Sequence, residues 1–453
     1  MVEPRYVEDA SGYRGQAERV FCPKSGAETA KVLAEASAAG IPITVAGAGT
    51  GVTGGRVASG GWVISTELLR HMEIGAGRAQ VGAGVLLRDL HAAAARSGQM
   101  YAPDPTEWTA SVGGTIGTNA SGSRSFRYGA TRAHVLAVEA AMVDGSLRRF
   151  ERGQPVDFEV AQVRVPATTK NTAGYPLRPG MDWVDLLVGS EGTLAAVTAA
   201  ELRLLPAPAE LFTGLIFFSG NRAAIAAVDA WRGVEGLRML EYFDGPSLRL
   251  LRPRFPEIPK EAGAALLFEQ ECPDGADEDA WIARLDHAGA LADASWFALT
   301  PADRERFRRF RHALPEAVNE IVRRNGFTKL GSDYAVPLDR NLEMLDHYAA
   351  CLEAEFPGRY AVFGHLGDAH VHANILPESL EQFERGRELM IELARKAVSL
   401  GGTVSAEHGL GKRKAHLLPI QFSGTEIAAM MDVKRRLDPQ WLLGRGTLFP
   451  DGG

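Results

Sequence analysis

Three histidines fall within eight residues of one stretch, Phe363-Gly-His-Leu-Gly-Asp-Ala-His-Val-His-Ala-Asn374. Strand alternation would put His370, His372 and Asn374 on one face and Val371, Ala373 and Ile375 on the other, toward a core. His365 precedes them across a Gly367-Asp368 turn. About thirty residues on, Ser405-Ala-Glu-His-Gly-Leu-Gly-Lys412 brings a second polar cluster with Glu407 and His408. Imidazole nitrogens with a carboxylate oxygen suit zinc, with one position left open for substrate. Taken singly, each histidine reads more simply as a hydrogen-bonding loop residue. Taken together, His365, His372, Glu407 and His408 point to a site.

A different chemistry is written into Ile43–Gly55, ITVAGAGTGVTGG, where a β-branched run empties into a loop with glycine at 47, 49, 51, 54 and 55. Such a loop permits positive φ and turns successive N–H groups inward, which makes a concave seat for a phosphate or pyrophosphate. Gly49, Gly51 and Gly54 match G-x-G-x-x-G, a weak signal alone. A Rossmann site needs the third glycine to open a helix, whereas Arg56–Gly61 is another turn before the strand-like Trp62–Ser65. A Walker A loop fails because no Gly-Lys-Ser/Thr follows. Farther on, Pro103 and Pro105 stiffen a turn ahead of Gly113, Gly114, Gly117 and Gly122. A third loop is Gly189-Ser190-Glu191-Gly192-Thr193. The bland alternative is glycine-rich turns between strands, but separate segments of this kind could line one large, mostly uncharged ligand of dinucleotide size.

These residues need scaffolding. Ser25 and Glu28 form a capping-box pattern at the start of a helix through about Ala39, stopped by Gly40 and Pro42. Strands are expected at Ile43–Ala46, Trp62–Ser65, Gln80–Val81 and Val135–Val143, with Asp144-Gly145 as a hairpin turn. A helix runs from near Val85 to Gly98, a short one spans Trp183–Leu187, and another strand ends at Leu205. Pro206 and Pro208 mark a boundary. Beyond it, strands fit Phe212–Phe218, Leu237–Phe243, Ala265–Glu269, Tyr334–Val336, Tyr360–Phe363 and Val371–Leu376. Helices fit 221–233, 277–290, 302–323, 338–355 and 379–400. The expected class is α+β, with an antiparallel sheet carrying helices over one face in the second half. The expected division is 1–207, 208–420 and a C-terminal segment 421–453.

Composition narrows the function. At 453 residues the chain has room for roughly two to four domains. A net charge of −7 argues against a nucleic-acid surface. Three dispersed cysteines, Cys22, Cys272 and Cys351, cannot hold an iron–sulfur cluster and suggest a reducing compartment. The N-terminal residues lack a signal-peptide pattern, and no apolar run of about 18 residues spans a membrane. A cytoplasmic protein is expected, with peripheral attachment at the inner face of the membrane left open.

In order, Gly47–Gly55, Pro103-Asp104, Ser111–Gly122 with Tyr128-Gly129, Gly189–Thr193, Phe363–Asn374 and Ala406–Gly411 resemble flavoproteins of the vanillyl-alcohol oxidase and p-cresol methylhydroxylase type. Within that type the chain is similar to the branch of D-lactate, glycolate and D-2-hydroxyglutarate dehydrogenases, over almost its whole length. The resemblance implies FAD with its pyrophosphate on the first loop, at Gly47, Ala48, Gly49, Thr50, Gly51, Thr53, Gly54 and Gly55. Further contacts are implied from Pro103, Asp104, Ser111, Gly113, Gly114, Thr118, Asn119, Ser121 and Gly122, and from Glu191, Gly192 and Val197. Residues 46–55 contain neither His nor Cys, so the flavin is expected to be non-covalent.

The same resemblance implies His365, His372 and Glu407 as ligands of a divalent metal, zinc above all. His408 would be the base, and Asn374 would contact substrate. Arg311, in an arginine-dense helix before Pro315, matches the family's carboxylate-binding arginine and could clamp a carboxylate in a bidentate pair. The chain departs from the pattern at Ala369 and His370, which stand for glycine and asparagine. It departs again at Gly331, where the hydroxyglutarate branch has lysine. In the C-terminal stretch, Gly444-Arg445-Gly446-Thr447 replaces Asn-Pro-Gly-Lys, so Arg445 could supply charge near the flavin ring.

The expectation is an FAD-dependent dehydrogenase that oxidises a D-2-hydroxy acid to the 2-oxo acid. Its electron acceptor would be a quinone, an electron-transfer flavoprotein or a partner subunit, and a homodimer is compatible. The rivals are a flavin oxidase of another alcohol using oxygen and a metal-dependent hydrolase.

Overall fold

The computed structural model describes residues 2–449. Ser25 Oγ accepts from Glu28 N at 3.2 Å and opens the helix Gly26–Ala39, which Gly40 closes at φ +65°. The capping box is half formed, because the Glu28 carboxylate takes the N–H of Lys24 instead of that of Ser25. The helix buries Ala30, Leu33 and Ala36 against Ile43, Ile64 and Val143. Beside it lies a parallel sheet in the order Arg19–Phe21, Trp62–Ser65, Ile43–Ala46. The glycine loop leaves the end of Ile43–Ala46. Returning chain closes this edge, where Gly444 N donates to Ile43 O and Ile43 N to Leu442 O.

A second sheet of five antiparallel strands runs Met72–Gly75, Arg78–Gly82, Ala196–Arg203, Val135–Ala141, Leu147–Glu151. The glycine-rich segment after Pro105 is not all loop. Ser111 Oγ caps Gly114 N, and Val112–Thr118 forms a short helix ended by Asn119 at φ +48°. Glycine disfavours helix, but here it permits close approach: a Cβ on Gly113 would lie 2.7 Å from that of Ala83.

The third sheet has seven strands in the order Trp296–Phe297, Leu211–Phe218, Ala264–Glu271, Leu237–Asp244, Tyr360–Gly364, His372–Ile375, Leu330–Gly331, all antiparallel. Helices cover both of its faces, not one. Leu215 and Phe217 pack with Phe307, Phe310 and Leu314 of the helix Pro301–Arg324. Ile216 and Phe218 point the other way, toward Ala224, Trp231 and Trp281. The unbroken apolar run Leu215–Phe218 carries that double burial, since a one-sided strand would alternate. The expected strand Tyr334–Val336 is instead Leu330–Gly331, and Ala335 makes only isolated bridges to His370 and Thr403.

The turn Leu366–Asp368 ends on Ala369 at φ +50°, a left-handed position that favours glycine. Ala369→Gly is therefore expected to stabilise the fold by about 0.5–1 kcal/mol. A denaturant midpoint would measure this, and an unchanged or lower midpoint would contradict it.

Candidate active site

The three glycine-bearing segments and the histidine cluster face one cavity of about 380 Å³. One wall is the loop Gly47–Thr53, the Ser111–Ser121 segment and Ser190–Gly192. The other carries Glu241, Arg311, Lys329, His365, His372, Glu407 and His408. Gly51 and Gly117 line it, and beyond its chain neighbours and own helix backbone a Cβ on either would meet no atom of the described residues within 4 Å. Glycine at these positions leaves room for a ligand against the backbone, as a dinucleotide requires. None of the cysteines is on the wall.

Most of the expected cofactor residues are at this wall, but five are not. Gly54 turns its N–H to Asp9 Oδ2 at 2.9 Å. Asp104 is buried in an ion pair with Arg124 at 3.1 Å and accepts from Trp108 Nε1, and Pro103 before it is buried too. Asn119 caps its helix and accepts from Arg132 N through Oδ1. Gly122 packs on backbone, since a Cβ there would fall 1.9 Å from Asp104 O. These positions shape the wall from behind.

The metal-type cluster is assembled from distant elements. His372 opens the strand His372–Ile375, and its Nδ1 lies 3.0 Å from Ser332 O. A carbonyl only accepts, so the proton is on Nδ1 and Nε2 presents a lone pair to the cluster. His365 follows the strand Tyr360–Gly364 and points Nδ1 at Glu241 Oε1, 2.5 Å away. Its Nε2 faces Glu407 Oε1 at 3.3 Å. Burial would lower the His365 pKa, but Glu241 and Glu407 outweigh it and raise it to about 9. Burial depresses the His372 pKa well below its usual value, and neighbouring His370 lowers it further.

Glu407 sits at the centre. Its Oε1 accepts from Ser121 Oγ at 2.8 Å and from Lys170 Nζ at 2.7 Å. Lys170 is wholly buried; it also donates to Gly122 O and lies 3.3 Å from Asp368. Burial works against the charge on Glu407, but His365 and Lys170 hold its pKa well below the usual carboxylate range. Burial likewise opposes the ammonium, and Glu407 and Asp368 more than compensate, so the Lys170 pKa is raised.

Next to it, His408 is stacked on His372 with ring centroids 5.4 Å apart. Its Nδ1 is buried 3.5 Å from Asp333 Oδ1. Burial lowers its pKa to about 4 against the pull of Asp333, which leaves a neutral imidazole at pH 7. Asp333 is the anchor of the whole loop: it accepts from Ser405 Oγ, Glu407 N and His408 N.

Arg311 reaches the cavity wall with Nε donating to Glu241 Oε2 at 2.9 Å. The helix continues through Pro315, which also lines the cavity. Asn374, by contrast, is fully buried off the wall, and its amide donates to His372 O at 3.0 Å. Its side chain lies at the Gly331 position, where a Cβ would stand 3.0 Å from Asn374 Oδ1. Arg445 is not at the cavity either, because its Nε donates to Trp441 O.

Sequence reasoning missed Glu241, Lys170 and Lys329. A carboxylate between Leu240 and Tyr242, in a stretch expected as a strand, was a visible signal for Glu241. Nothing in Thr168-Thr-Lys-Asn171 distinguishes Lys170. Gly331 drew attention away from Lys329, whose long side chain reaches the wall from two residues earlier.

The profile of FAD linked oxidases, C-terminal domain, matches residues 207–448, and that of an FAD binding domain matches 17–151. A D-lactate dehydrogenase of Archaeoglobus fulgidus is 32% identical over 442 residues, covering 95% of this chain and 90% of its own. A glycolate oxidase subunit GlcD of Bacillus subtilis is 29% identical over 98% of this chain and 92% of its own. A D-2-hydroxyglutarate dehydrogenase of Xanthomonas citri is 30% identical over 95% of this chain and 89% of its own. A solved structure of alkyldihydroxyacetonephosphate synthase shares the fold with a TM-score of 0.68 at 14% identity, covering 94% of this chain and 76% of that one. With a glycine-walled cavity and a family match that runs over most of its length, the chain belongs to the FAD-linked oxidases and is an FAD-linked oxidoreductase.

Proposed function

We propose that this enzyme oxidises a D-2-hydroxy acid of the D-lactate, glycolate or D-2-hydroxyglutarate type to the 2-oxo acid, with non-covalent FAD and a divalent metal, zinc above all. The observation that carries the reading is a single cavity with glycine backbone on one wall and Arg311, His408 and the His365–His372–Glu407 group on the other. The names of the relatives support the substrate class.

Bound FAD would supply a two-electron acceptor for the hydrogen leaving C2 as hydride. An ion on His365, His372 and Glu407 would supply Lewis-acid polarisation of the α-hydroxyl. His408, neutral and with Nδ1 beside Asp333, offers its other nitrogen to take the hydroxyl proton. Arg311 holds the substrate carboxylate through the guanidinium nitrogens that Glu241 does not engage. Glu241 thereby links two tasks, since it orients both Arg311 and His365. Lys170 and Ser121 fix the Glu407 carboxylate from below.

Arg311→Lys tests the clamp. It keeps the charge but loses the planar fork, so KM for the hydroxy acid is expected to rise about 10–100-fold. Steady-state kinetics would show it, and an unchanged KM would remove Arg311 from the carboxylate site.

A further inference from the structure

His370 is outside the three-ligand set, yet it is the most enclosed of the clustered histidines. It is fully buried, and among the described residues neither ring nitrogen makes a hydrogen bond. Its Nε2 is 3.2 Å from Asp333 Oδ1, off-line for a bond, and its Nδ1 is 4.0 Å from Glu407 Oε1. Asp333 stands beside Nε2, whereas Nδ1 is buried with no partner within hydrogen-bond reach among the described residues, which is a sign of a missing one.

The geometry says where that partner sits. Two donors each about 2.1 Å from one ion lie no more than about 4.2 Å apart. His365 Nε2 is 3.3 Å from Glu407 Oε1, His372 Nε2 is 3.8 Å from Oε2, and His370 Nδ1 is within the same limit. One donor atom from each of His365, His370, His372 and Glu407 lies within 4.8 Å of all the others. Asp333 lies beside the far nitrogen of His370, where carboxylates stand behind metal-bound imidazoles, and Nδ1 is the nitrogen on the Glu407 side.

We propose that His370 is a fourth protein ligand, through Nδ1, so that three imidazoles and one carboxylate hold the ion. This rests on the metal reading above. The donor set suits a first-row ion of the zinc, iron, nickel or copper kind and not magnesium or calcium, which favour oxygen.

The test counts ligands in the flavin-loaded protein. One equivalent of copper(II) is added to wild type and to His370→Asn after chelation. Pulsed electron paramagnetic resonance then reads the number of coupled imidazoles, and competition with a chromophoric chelator gives the zinc Kd. The expected result is three imidazoles in wild type and two in the variant, with a zinc Kd at least about tenfold weaker in the variant. Two imidazoles in both proteins with an unchanged zinc Kd would overturn the assignment while leaving a three-ligand site intact. If wild type binds neither ion stoichiometrically, the assignment falls together with the metal reading. The wild-type count decides alone if the variant does not fold, three imidazoles supporting the assignment and two overturning it.

Discussion

Lys170→Met is expected to lower the stability of the folded chain by about 3–5 kcal/mol, the usual cost of breaking a buried ion pair from one side. Lys170 is wholly buried, with its ammonium 2.7 Å from Glu407 and 3.3 Å from Asp368. Methionine fills the volume but takes away the ammonium that lies between the two buried carboxylates. The sign of the pH dependence follows from the shifts. The Glu407 pKa is depressed, so its stabilisation is present above its ordinary value of 4.5 and fades as pH falls below that. The Lys170 pKa is raised, so its share is present below 10.5 and fades as pH rises beyond it. The deficit of the variant is therefore largest between those limits and shrinks toward acid. Urea unfolding at several pH values would measure it, and a loss under about 1 kcal/mol at pH 7 would show that water or another group already neutralises the cluster.

His408→Ala is expected to cut turnover by about 10²–10⁴-fold, the range for a general base. The glycine loops proposed to hold the cofactor are separate from the imidazole, so flavin content should stay at the wild-type level. Side-by-side measurement of kcat and of the flavin-to-protein absorbance ratio separates the two effects. Wild-type turnover in the variant would take His408 out of the proton transfer. Loss of flavin with loss of activity would instead make the side chain part of the cofactor wall.

The elements were legible where local chemistry fixes them. The helix ending at Ala39 was bounded by Ser25 and Gly40, and the hairpin by Asp144-Gly145. The helix Val112–Thr118 was not, because its glycines read as loop while its cap, Ser111, is one ordinary serine. The double-sided burial of the seven-stranded sheet was present in the run Leu215–Phe218 but was outweighed by the expectation of an open face. In the site, the histidines and Glu407 were readable because two short motifs carry them. Their support was not: Lys170 reaches Glu407 across 237 positions of chain and Glu241 reaches His365 across 124. Asn374, implied by the resemblance as a substrate contact, is not among the residues lining the cavity. It shares a strand with His372, but the Gly331 gap lets its side chain pack there instead of reaching the cavity.

The central claim is that the two walls of this cavity work on one substrate, and anaerobic reduction of the bound flavin tests it most directly. The purified protein is mixed without oxygen with D- and L-lactate, glycolate and D- and L-2-hydroxyglutarate, and the flavin absorbance is followed with and without prior chelation. The account predicts bleaching by glycolate or by a D acid over its L partner, slowed after chelation and restored by added zinc. A yellow protein that none of these acids bleaches, with zinc present, would contradict it.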